Sequence, residues 1–463
     1  MAVYSIVKLS ELEGAKRIDA EYYKPEYLNL LSRLRKVGCI PLNHTIIPIK
    51  RKFKPKEGEY FDYIEIAQVD LITGEFNLSK IIGENAPDRA QWIVFNDDVL
   101  VSTVRPIRNA VVLIREGKEN LVCSSGFCII HPRKIQANYL FLYLKMPFIA
   151  RLLDRCTTAT EYPAVNWSDV LNIPIYLGSK KFREEISSIV DEAFILLKRS
   201  QSLYSQAENL LLEELLLKNF KPKYEKTYTA NLSDVFSAHR VDAEYFQPVY
   251  EEVIEKLKEY PNGFDKLLKY AENIKPNFDP TKYPEQIFSY IELADIDSSI
   301  GVIHSENKIN GDEAPSRARR MPKENDVIVS SVEGSLEKVA LVDKEHDGSL
   351  VSTGFFQFRP LNILPEVLLI LSKTVVLQSQ LKKKCSGTIL TAVPKGSLRD
   401  IVIPLLPPET QQKIASLVQQ SHEARRKAKE LLEIAKTAVE IAIEKDEENA
   451  LNYISIKASP FSE

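Results

Sequence analysis

The sequence predicts an α+β fold with two similar domains of mixed α/β structure, separated by a pair of long antiparallel coiled-coil helices and related by a pseudo-two-fold axis. Three observations predict this fold. The chain repeats itself over most of its 463 residues. Each copy contains short runs typical of strands, and each ends in a long stretch with heptad spacing.

The internal repeat is visible as matched segments that keep their order. Their offset drifts only from 223 to about 230 residues: RIDAEYY at 17–23 returns as RVDAEYF at 240–246, YIEIA at 63–67 as YIELA at 290–294, APDRA at 86–90 as APSRA at 314–318, and DVLVS at 98–102 as DVIVS at 326–330. This period is far longer than a solenoid unit, so each copy is a whole domain with its attachments. Two similar domains suit a ligand that itself has two similar halves.

Within each copy, apolar or alternating runs bounded by Gly, Pro, Asn and Asp predict strands at 98–104, 110–114, 127–130, 326–332 and 339–342. Longer amphipathic stretches predict helices at 25–37, 139–153, 248–260 and 365–382.

Two long helices follow from a 4-3 spacing of apolar residues. The first seam begins at Phe182 and runs to Leu217, passing through Leu196 and Leu203, and nine of its eleven positions are apolar. The second seam runs from Ile414 to Ala442 in phase with the first. We expect the two helices, each about 55 Å long, to pair antiparallel and hold the domains at opposite ends. The alternative is that each helix packs on its own domain.

These patterns together predict five segments. They are a first domain at 1–178, a first spacer helix at 179–222, a second domain at 228–407, a second spacer helix at 408–446 and a tail at 447–463. The charged linker at 221–227 contains a proline and should end the first long helix. The residues from 449 onward lack periodicity, which suggests a tail or a short strand.

The composition is that of a globular protein without a membrane span. It contains 44% hydrophobic residues and no apolar run of 18 residues. The start lacks a secretory pattern, and the five scattered cysteines suggest reduced thiols, so we expect a cytoplasmic protein.

The charge is locally uneven. A net charge of −3 argues against a nucleic-acid binder. However, five cations lie within 50–56, and further clusters lie at 317–320 and 382–384, while acidic residues gather in the predicted helices. Basic recognition domains on an acidic scaffold would reconcile this balance with an anionic ligand.

Motifs for catalysis or cofactors are missing from the sequence. It contains no phosphate-binding P-loop, dinucleotide fingerprint, metal-ligand spacing or methyltransferase motif of the Asn/Asp-Pro-Pro-Tyr/Phe type. Asp98 and Asp326 could be imagined as nuclease carboxylates, but Asp is favoured at a turn entering a strand. We expect neither a catalytic nor a metal-binding residue.

Conserved and divergent parts of the repeat suggest different roles. The Arg-x-Asp-Ala-Glu-Tyr-aromatic segment could dock a helix through an ion pair and ring packing, which we favour over ligand contact. Between matched blocks, the basic 105–109 faces the acidic 333–337. Kept framework with changed loops indicates two readers of different targets. Neutral drift of the loops is the alternative.

The end of the second copy carries a family resemblance. GTILTAV at 387–393, IVIPLLPP at 401–408 and QQKI at 411–414 resemble the junction between a target-recognition domain and its long helix in specificity subunits of type I restriction-modification systems. The first copy echoes it at 164–165, 170–175 and 182–186, but 176–178 replaces the Pro-Pro turn and 157–160 lacks the glycine.

The resemblance implies a non-catalytic subunit that binds a bipartite target in double-stranded DNA. It implies two partner methyltransferase subunits and partner restriction subunits, which would bind S-adenosylmethionine, ATP and Mg²⁺, with no cofactor in this chain. A DNA-independent coiled-coil scaffold is the main alternative. A nuclease or methyltransferase in its own right is disfavoured by the missing motifs.

Basic side chains would neutralise phosphates, and side chains on matching loops would approach bases. For phosphates we predict Arg51, Lys52, Lys54, Arg317, Arg319, Arg320 and Lys383. For bases or their vicinity we predict Arg105, Arg108, Thr160, Tyr162, Thr388 and Thr391.

Overall fold

The computed structural model describes residues 4–15, 17–117, 119–158, 161–220, 223–387 and 391–458. Its helices are α1 (Leu9–Ala15), α2 (Pro25–Lys36), α3 (Ala137–Leu144), α4 (Pro147–Asp154), α5 (Trp167–Leu171), α6 (Lys180–Glu214), α7 (Leu232–Ala238), α8 (Pro248–Lys258), α9 (Pro365–Lys373), α10 (Val375–Lys384), α11 (Pro408–Glu444) and α12 (Glu447–Ala458).

The strands of the first copy are β1 (Ile40–Pro41), β2 (Ile46–Pro48), β3 (Tyr60–Ile64), β4 (Ser79–Ile82), β5 (Ala90–Ile93), β6 (Val99–Ser102), β7 (Val111–Leu113), β8 (Leu121–Ser124), β9 (Phe127–Pro132) and β10 (Pro174–Ile175). Those of the second copy are β11 (Phe264–Lys266), β12 (Ala271–Asn273), β13 (Ile287–Ile291), β14 (Ile296–Asp297), β15 (Val302–Ile303), β16 (Asn307–Asn310), β17 (Ala318–Arg320), β18 (Val327–Ser330), β19 (Val339–Leu341), β20 (Leu350–Ser352), β21 (Phe355–Pro360) and β22 (Val402–Pro404).

The chain forms two compact units. Unit one comprises Met1–Leu196 and Arg426–Glu463, and unit two comprises Leu197–Arg425. Each unit therefore contains one sheet-rich domain together with part of α6 and part of α11.

Unit one contains two four-stranded sheets, with strand orders β2-β9-β6-β7 and β4-β3-β8-β5. Every pair in these sheets is antiparallel except β3 with β8. Buried side chains of both sheets, among them Ile64, Leu100 and Phe127, share one core. Strand β6 is buried along its whole length, which agrees with its apolar residues Val99, Leu100 and Val101.

Unit two builds the same sheets in the same order, β12-β21-β18-β19 and β16-β13-β20-β17. Its β13 and β20 are again the parallel pair. Val99 pairs with Ile130 and Val327 with Phe358, so the register of the central strands is also repeated. The predicted α+β class and its duplication in two sheet-rich domains are confirmed.

One glycine in each domain is required by a close approach of the backbone. A Cβ on Gly83 would overlap the carbonyl oxygen of Lys56, and a Cβ on Gly311 would overlap that of Tyr283. In both places the turn after the outer strand passes directly over another chain segment, so only glycine fits.

The long helices are present as α6 and α11, of 35 and 37 residues. In unit two, the Ser421 hydroxyl donates to the Ser200 carbonyl at 2.7 Å, and the Thr410 hydroxyl lies 3.5 Å from the Glu214 carboxylate. These pairings show that the two helix segments of unit two run antiparallel.

In unit one, the residues just before α6 contact the start of α12. Glu447 accepts hydrogen bonds from the Ser179 amide at 2.7 Å and from the Tyr176 hydroxyl at 2.9 Å. Helix α2 of unit one also contacts α11, because Arg33 pairs with Glu444 at 2.9 Å.

The buried stripe of α6 follows the predicted seam as far as Ala193 and then differs from it by one residue at alternate positions up to Leu211. Leu197, Tyr204 and Leu211 are buried, whereas the predicted Leu196 and Leu203 are only half-buried. The heptad spacing was predicted correctly, but neighbouring apolar residues made the choice between them ambiguous. The seam of α11 is buried largely as predicted, from Ile414 to Ala442.

Three boundary predictions were wrong. The predicted helix at 139–153 is broken between α3 and α4, where Pro147 starts a new helix. The one at 365–382 is broken at Thr374, whose backbone is extended. The first long helix ends at Glu214, before the linker, and Leu216 then adopts a left-handed φ of 56°.

The C-terminal segment is also helical. We predicted a tail or a short strand, but α12 extends from Glu447 to Ala458 and buries Ala450 and Ile454. Among the described residues, the helices are too short or too polar to cross a lipid bilayer.

Candidate nucleic-acid interface

The repeated Arg-x-Asp-Ala-Glu-Tyr segment ties the start of each domain to the end of a helix. In unit one, Arg17 donates to the carbonyls of Cys156 at 3.0 Å and Thr157 at 3.1 Å, just beyond α4. It also pairs with Asp19 at 2.8 Å, and its guanidinium lies 4.7 Å from the centroid of the Tyr22 ring. A cation here satisfies carbonyls that the helix leaves unpaired.

We call this set of arginine contacts the clamp. Unit two repeats the clamp with Arg240. Its guanidinium donates to the Cys385 carbonyl at 2.8 Å beyond α10, pairs with Asp242 at 2.7 Å and lies 4.5 Å from the Tyr245 ring centroid. The hydrogen bond from Arg240 lowers the pKa of Asp242 below its usual value. The predicted docking role, through an ion pair and ring packing, is confirmed in both copies.

In unit one, two loops at 105–109 and 161–165 contact each other through their backbones. The Arg105 amide donates to the Pro163 carbonyl at 2.7 Å, and Val104 forms an isolated antiparallel β-bridge with Ala164. The Arg105 guanidinium lies 5.7 Å from the centroid of the Tyr162 ring, which is 69% exposed. The structure thus brings together two of the residues predicted to lie near bases.

The loop 105–109 is held rigidly at both ends. Arg105 and Asn109 both adopt left-handed backbone conformations, with φ of 47° and 59°, on either side of a 3-10 turn at Pro106–Arg108. Pro106 is buried, and the Asn109 side chain donates to the Lys145 carbonyl at 2.7 Å. Arg108 is exposed at the end of this turn.

In unit two the corresponding loops meet in the same way but carry different charges. The Glu333 amide donates to the Thr391 carbonyl at 3.0 Å, and Val332 bridges Ala392. The Thr391 hydroxyl donates to the Gly387 carbonyl at 3.3 Å, within its own loop. Thr391 therefore lies beside an acidic loop, and its role near a DNA base stays a prediction.

In the cationic segment 50–56 of unit one, some side chains contact other side chains and others are exposed to solvent. Arg51 pairs with the buried Asp98 at 2.6 Å and lies against Phe95, and Lys50 lies 4.9 Å from the Trp167 ring centroid. Lys52 and Lys54 are exposed and have no ion-pair partner within the described part of the chain. Arg51 thus stabilises the domain, and the two lysines remain the better candidates for phosphate contact.

The cluster at 317–320 is divided in the same way. Arg317 is exposed, and Arg319 is paired with Asp279. Arg320 is 1% exposed and donates to the Ile274 carbonyl, and burial lowers its pKa to about 10. The prediction of Arg320 as a phosphate contact conflicts with this position, because its side chain lies in the interior of the unit.

Lys383 is also largely enclosed. It pairs with Glu251, its ammonium lies 5.0 Å from the Tyr245 ring centroid, and only 11% of its side chain is exposed. It packs α10 against α8 and the clamp segment, so its charge is already partnered. Two further predicted residues, Thr160 and Thr388, lie outside the described residues.

For Asp98 and Asp326, whose carboxylates are buried, the sequence favours a role in the turn before a strand over a catalytic role. Asp98 accepts from the Phe95 amide at 2.9 Å, and Asp326 from the Lys323 amide at 2.9 Å, so the turn role is confirmed. Their long-range side-chain partners were not identified from the sequence. His131 contacts Asp98 at 3.0 Å, and Arg359 occupies the matching position beside Asp326, so aligning the two copies would have indicated them.

The described residues contain no group of three or more His, Cys, Asp or Glu side chains that could hold a metal ion. The five cysteines are free thiols. Burial raises the pKa of Cys39 and of Cys385 to about 11, so neither is poised as a nucleophile.

Comparison with known proteins gives structural likeness alone. No protein-family model matches the chain, and no curated protein does. A solved type I R-M system chain, from work on its assembly and conformational transition, is 20% identical, with 86% of this chain and 96% of that one covered at a TM-score of 0.31. The HsdS subunit from Thermoanaerobacter tengcongensis is 20% identical, with 88% and 96% covered at 0.33. The type I S subunit from M. genitalium is 12% identical, with 86% and 93% covered at 0.39.

Identities and TM-scores this low do not establish a shared activity. Two of the solved structures that this chain resembles over most of its length are S subunits of type I restriction-modification systems.

Proposed function

We propose that this chain is the DNA-specificity subunit of a type I restriction-modification complex. Each domain would bind a short segment of double-stranded DNA, and the chain would carry no catalytic activity itself. The observation that carries this proposal is a framework kept twice with loops that differ. The contacts of Arg17 and Arg240 are the same in the two domains, whereas the matching loops are basic at 105–109 and acidic at 333–337.

The exposed cations of the two domains are consistent with DNA binding by their loops. Lys52, Lys54 and Arg317 are exposed cations, which would neutralise phosphates and fix the register on the duplex. Loops that differ between the domains would then contact base edges and give the two half-sites different sequences.

The long helices would set the distance between the half-sites. We propose that α6 and α11 form one antiparallel coiled coil with pseudo-two-fold symmetry. The pairing of Ser200 with Ser421 supports this, because the repeat relates these residues to Ala428 and Ala193, which are equally buried. A fixed helix pair of this length would hold the spacer between half-sites constant.

Catalysis would come from partner subunits. Two methyltransferase subunits would supply S-adenosylmethionine and methyl transfer, and restriction subunits would supply ATP- and Mg²⁺-dependent cleavage, all in the cytoplasm. The missing cofactor motifs in this sequence support this division of labour.

The decisive experiment is selection from a random duplex library by the full chain, alone and with its methyltransferase partner, followed by sequencing. The expected result is a bipartite motif with an invariant gap and affinity that falls steeply with salt. A single contiguous motif, or turnover of DNA by the isolated chain, would contradict the proposal.

A DNA-independent scaffold that joins proteins is the second candidate, and the net charge of −3 favours it. Filter binding at low salt separates the two candidates. Absence of duplex binding both with and without the methyltransferase partner would support the scaffold.

A further inference from the structure

The loop 105–109 of unit one carries two arginines, Arg105 and Arg108. Most of the arginines described above are engaged: Arg17, Arg51, Arg240, Arg319 and Arg359 each pair with an aspartate. Arg105 and Arg108 have no ion-pair partner within the described ranges. Unpaired guanidinium groups on a rigid surface loop are suited to a ligand that supplies the acceptors.

The backbone conformation of Arg105 fixes the direction in which its side chain leaves the loop. The neighbouring Tyr162 ring limits the positions that its guanidinium can adopt. A left-handed φ of 47° is costly for a residue with a side chain, and the hydrogen bond to Pro163 and the buried Pro106 maintain it. The Tyr162 ring, 5.7 Å from the guanidinium and largely exposed, offers a flat face beside it. This arrangement reduces the conformational freedom that a flexible arginine would lose on binding.

We infer that Arg105, positioned by Tyr162, reads a guanine in the half-site bound by unit one, through the N7 and O6 acceptors in the major groove. A planar fork of two N–H donors matches these two acceptors, which other bases do not present together. This inference rests on the proposed function and adds the chemistry of one half-site to it.

Unit two lacks this reader at the matching position. Glu333 takes the place of Arg105, and its amide makes the same bond to the neighbouring loop. A carboxylate repels phosphates and accepts hydrogen bonds, so Glu333 would select an exocyclic amino group, as on cytosine, rather than guanine. The two half-sites would then differ in the base at corresponding positions.

The test is library selection with the full chain and three variants. Arg105→Gly keeps the left-handed backbone and removes the side chain. Arg105→Lys keeps the charge and removes the fork, so a mere phosphate contact would survive it. In both variants we expect the preference for guanine at one position of one half-site to fall about tenfold, with the other half-site unchanged. Glu333→Gln should alter only the other half-site.

Replacing the selected guanine by 7-deazaguanine provides an independent readout, because it removes the N7 acceptor alone. The wild-type chain should bind this duplex several-fold more weakly, whereas Arg105→Gly should bind both duplexes equally. A wild-type motif whose guanines are all unaffected by Arg105→Gly and Arg105→Lys would overturn the inference and leave the proposed function standing. A wild-type chain that selects no motif would overturn both.

Discussion

Arg359 grips the buried carboxylate of Asp326 with two parallel hydrogen bonds, from Nε at 2.9 Å and from Nη2 at 2.8 Å. This fork joins the end of β21 to the turn that enters β18. In unit one the equivalent buried carboxylate, Asp98, has different partners, because both Arg51 and His131 contact it. The carboxylate is constant, and its cation comes from a different part of the chain in each copy.

Removing this fork should destabilise unit two. Arg359→Met leaves the Asp326 carboxylate without its cation in the interior, which we expect to lower the free energy of unfolding by about 3 kcal/mol. Urea denaturation monitored by far-ultraviolet circular dichroism measures this loss. Arg317→Met, at an exposed position, is the matched control and should change stability little. Equal effects of the two substitutions would contradict a structural role for the pair.

The clamp arginines should order the helix ends that lead to the recognition loops. Arg17→Gln removes the charged donors to Cys156 and Thr157, and we expect faster amide exchange at residues 155–158 and weaker DNA binding. Hydrogen exchange by mass spectrometry gives the local readout. Arg240→Gln should act instead at residues 384–387, so a response in the wrong unit would count against the clamp.

The Ser200–Ser421 pair should behave as a coupled unit. Ser421→Ala alone leaves the buried Ser200 hydroxyl without its partner and should cost about 1 kcal/mol. The double change to alanine should cost less than the sum of the single changes, because it leaves neither hydroxyl unpaired and because the repeat-related Ala193 and Ala428 are already buried alanines. A double-mutant cycle in denaturant measures the coupling, and strict additivity would exclude it.

The buried Lys145 should make stability depend on pH. Its ammonium donates to the Leu71 carbonyl at 2.8 Å, and burial lowers its pKa to about 7. Between pH 7 and about 10.4 the unfolded chain therefore binds the proton that the folded chain has lost, so this lysine contributes more stability as pH rises. The stability difference between wild type and Lys145→Met should grow in favour of wild type from pH 7 to 9. Lys54→Met, at an exposed position of the same unit, is the matched control for the loss of a lysine.

Local pattern was sufficient for the duplication, the fold class and the heptad spacing of the long helices, because these depend on residue types at fixed intervals. It failed wherever a distant partner decides the outcome. Arg51 and Arg320 look like surface cations in the sequence, yet Asp98 engages one and the Ile274 carbonyl the other.

Side-chain burial between helices was equally beyond local pattern. Leu196 and Leu197 are both leucines, and only the facing surface determines which is enclosed. The loops 105–109 and 161–165 could be matched between copies, but the left-handed backbone at Arg105 and its position against Tyr162 needed the structure.

The discontinuous composition of unit one affects how the protein is made. Residues that Arg33, Tyr176 and Ser179 need as partners are translated last, in the segment that follows Arg425. Unit two, from Leu197 to Arg425, has all its residues before that point. Translation that stops soon after Arg425 would therefore give a chain in which unit two is complete and unit one, although begun first, lacks its last segment.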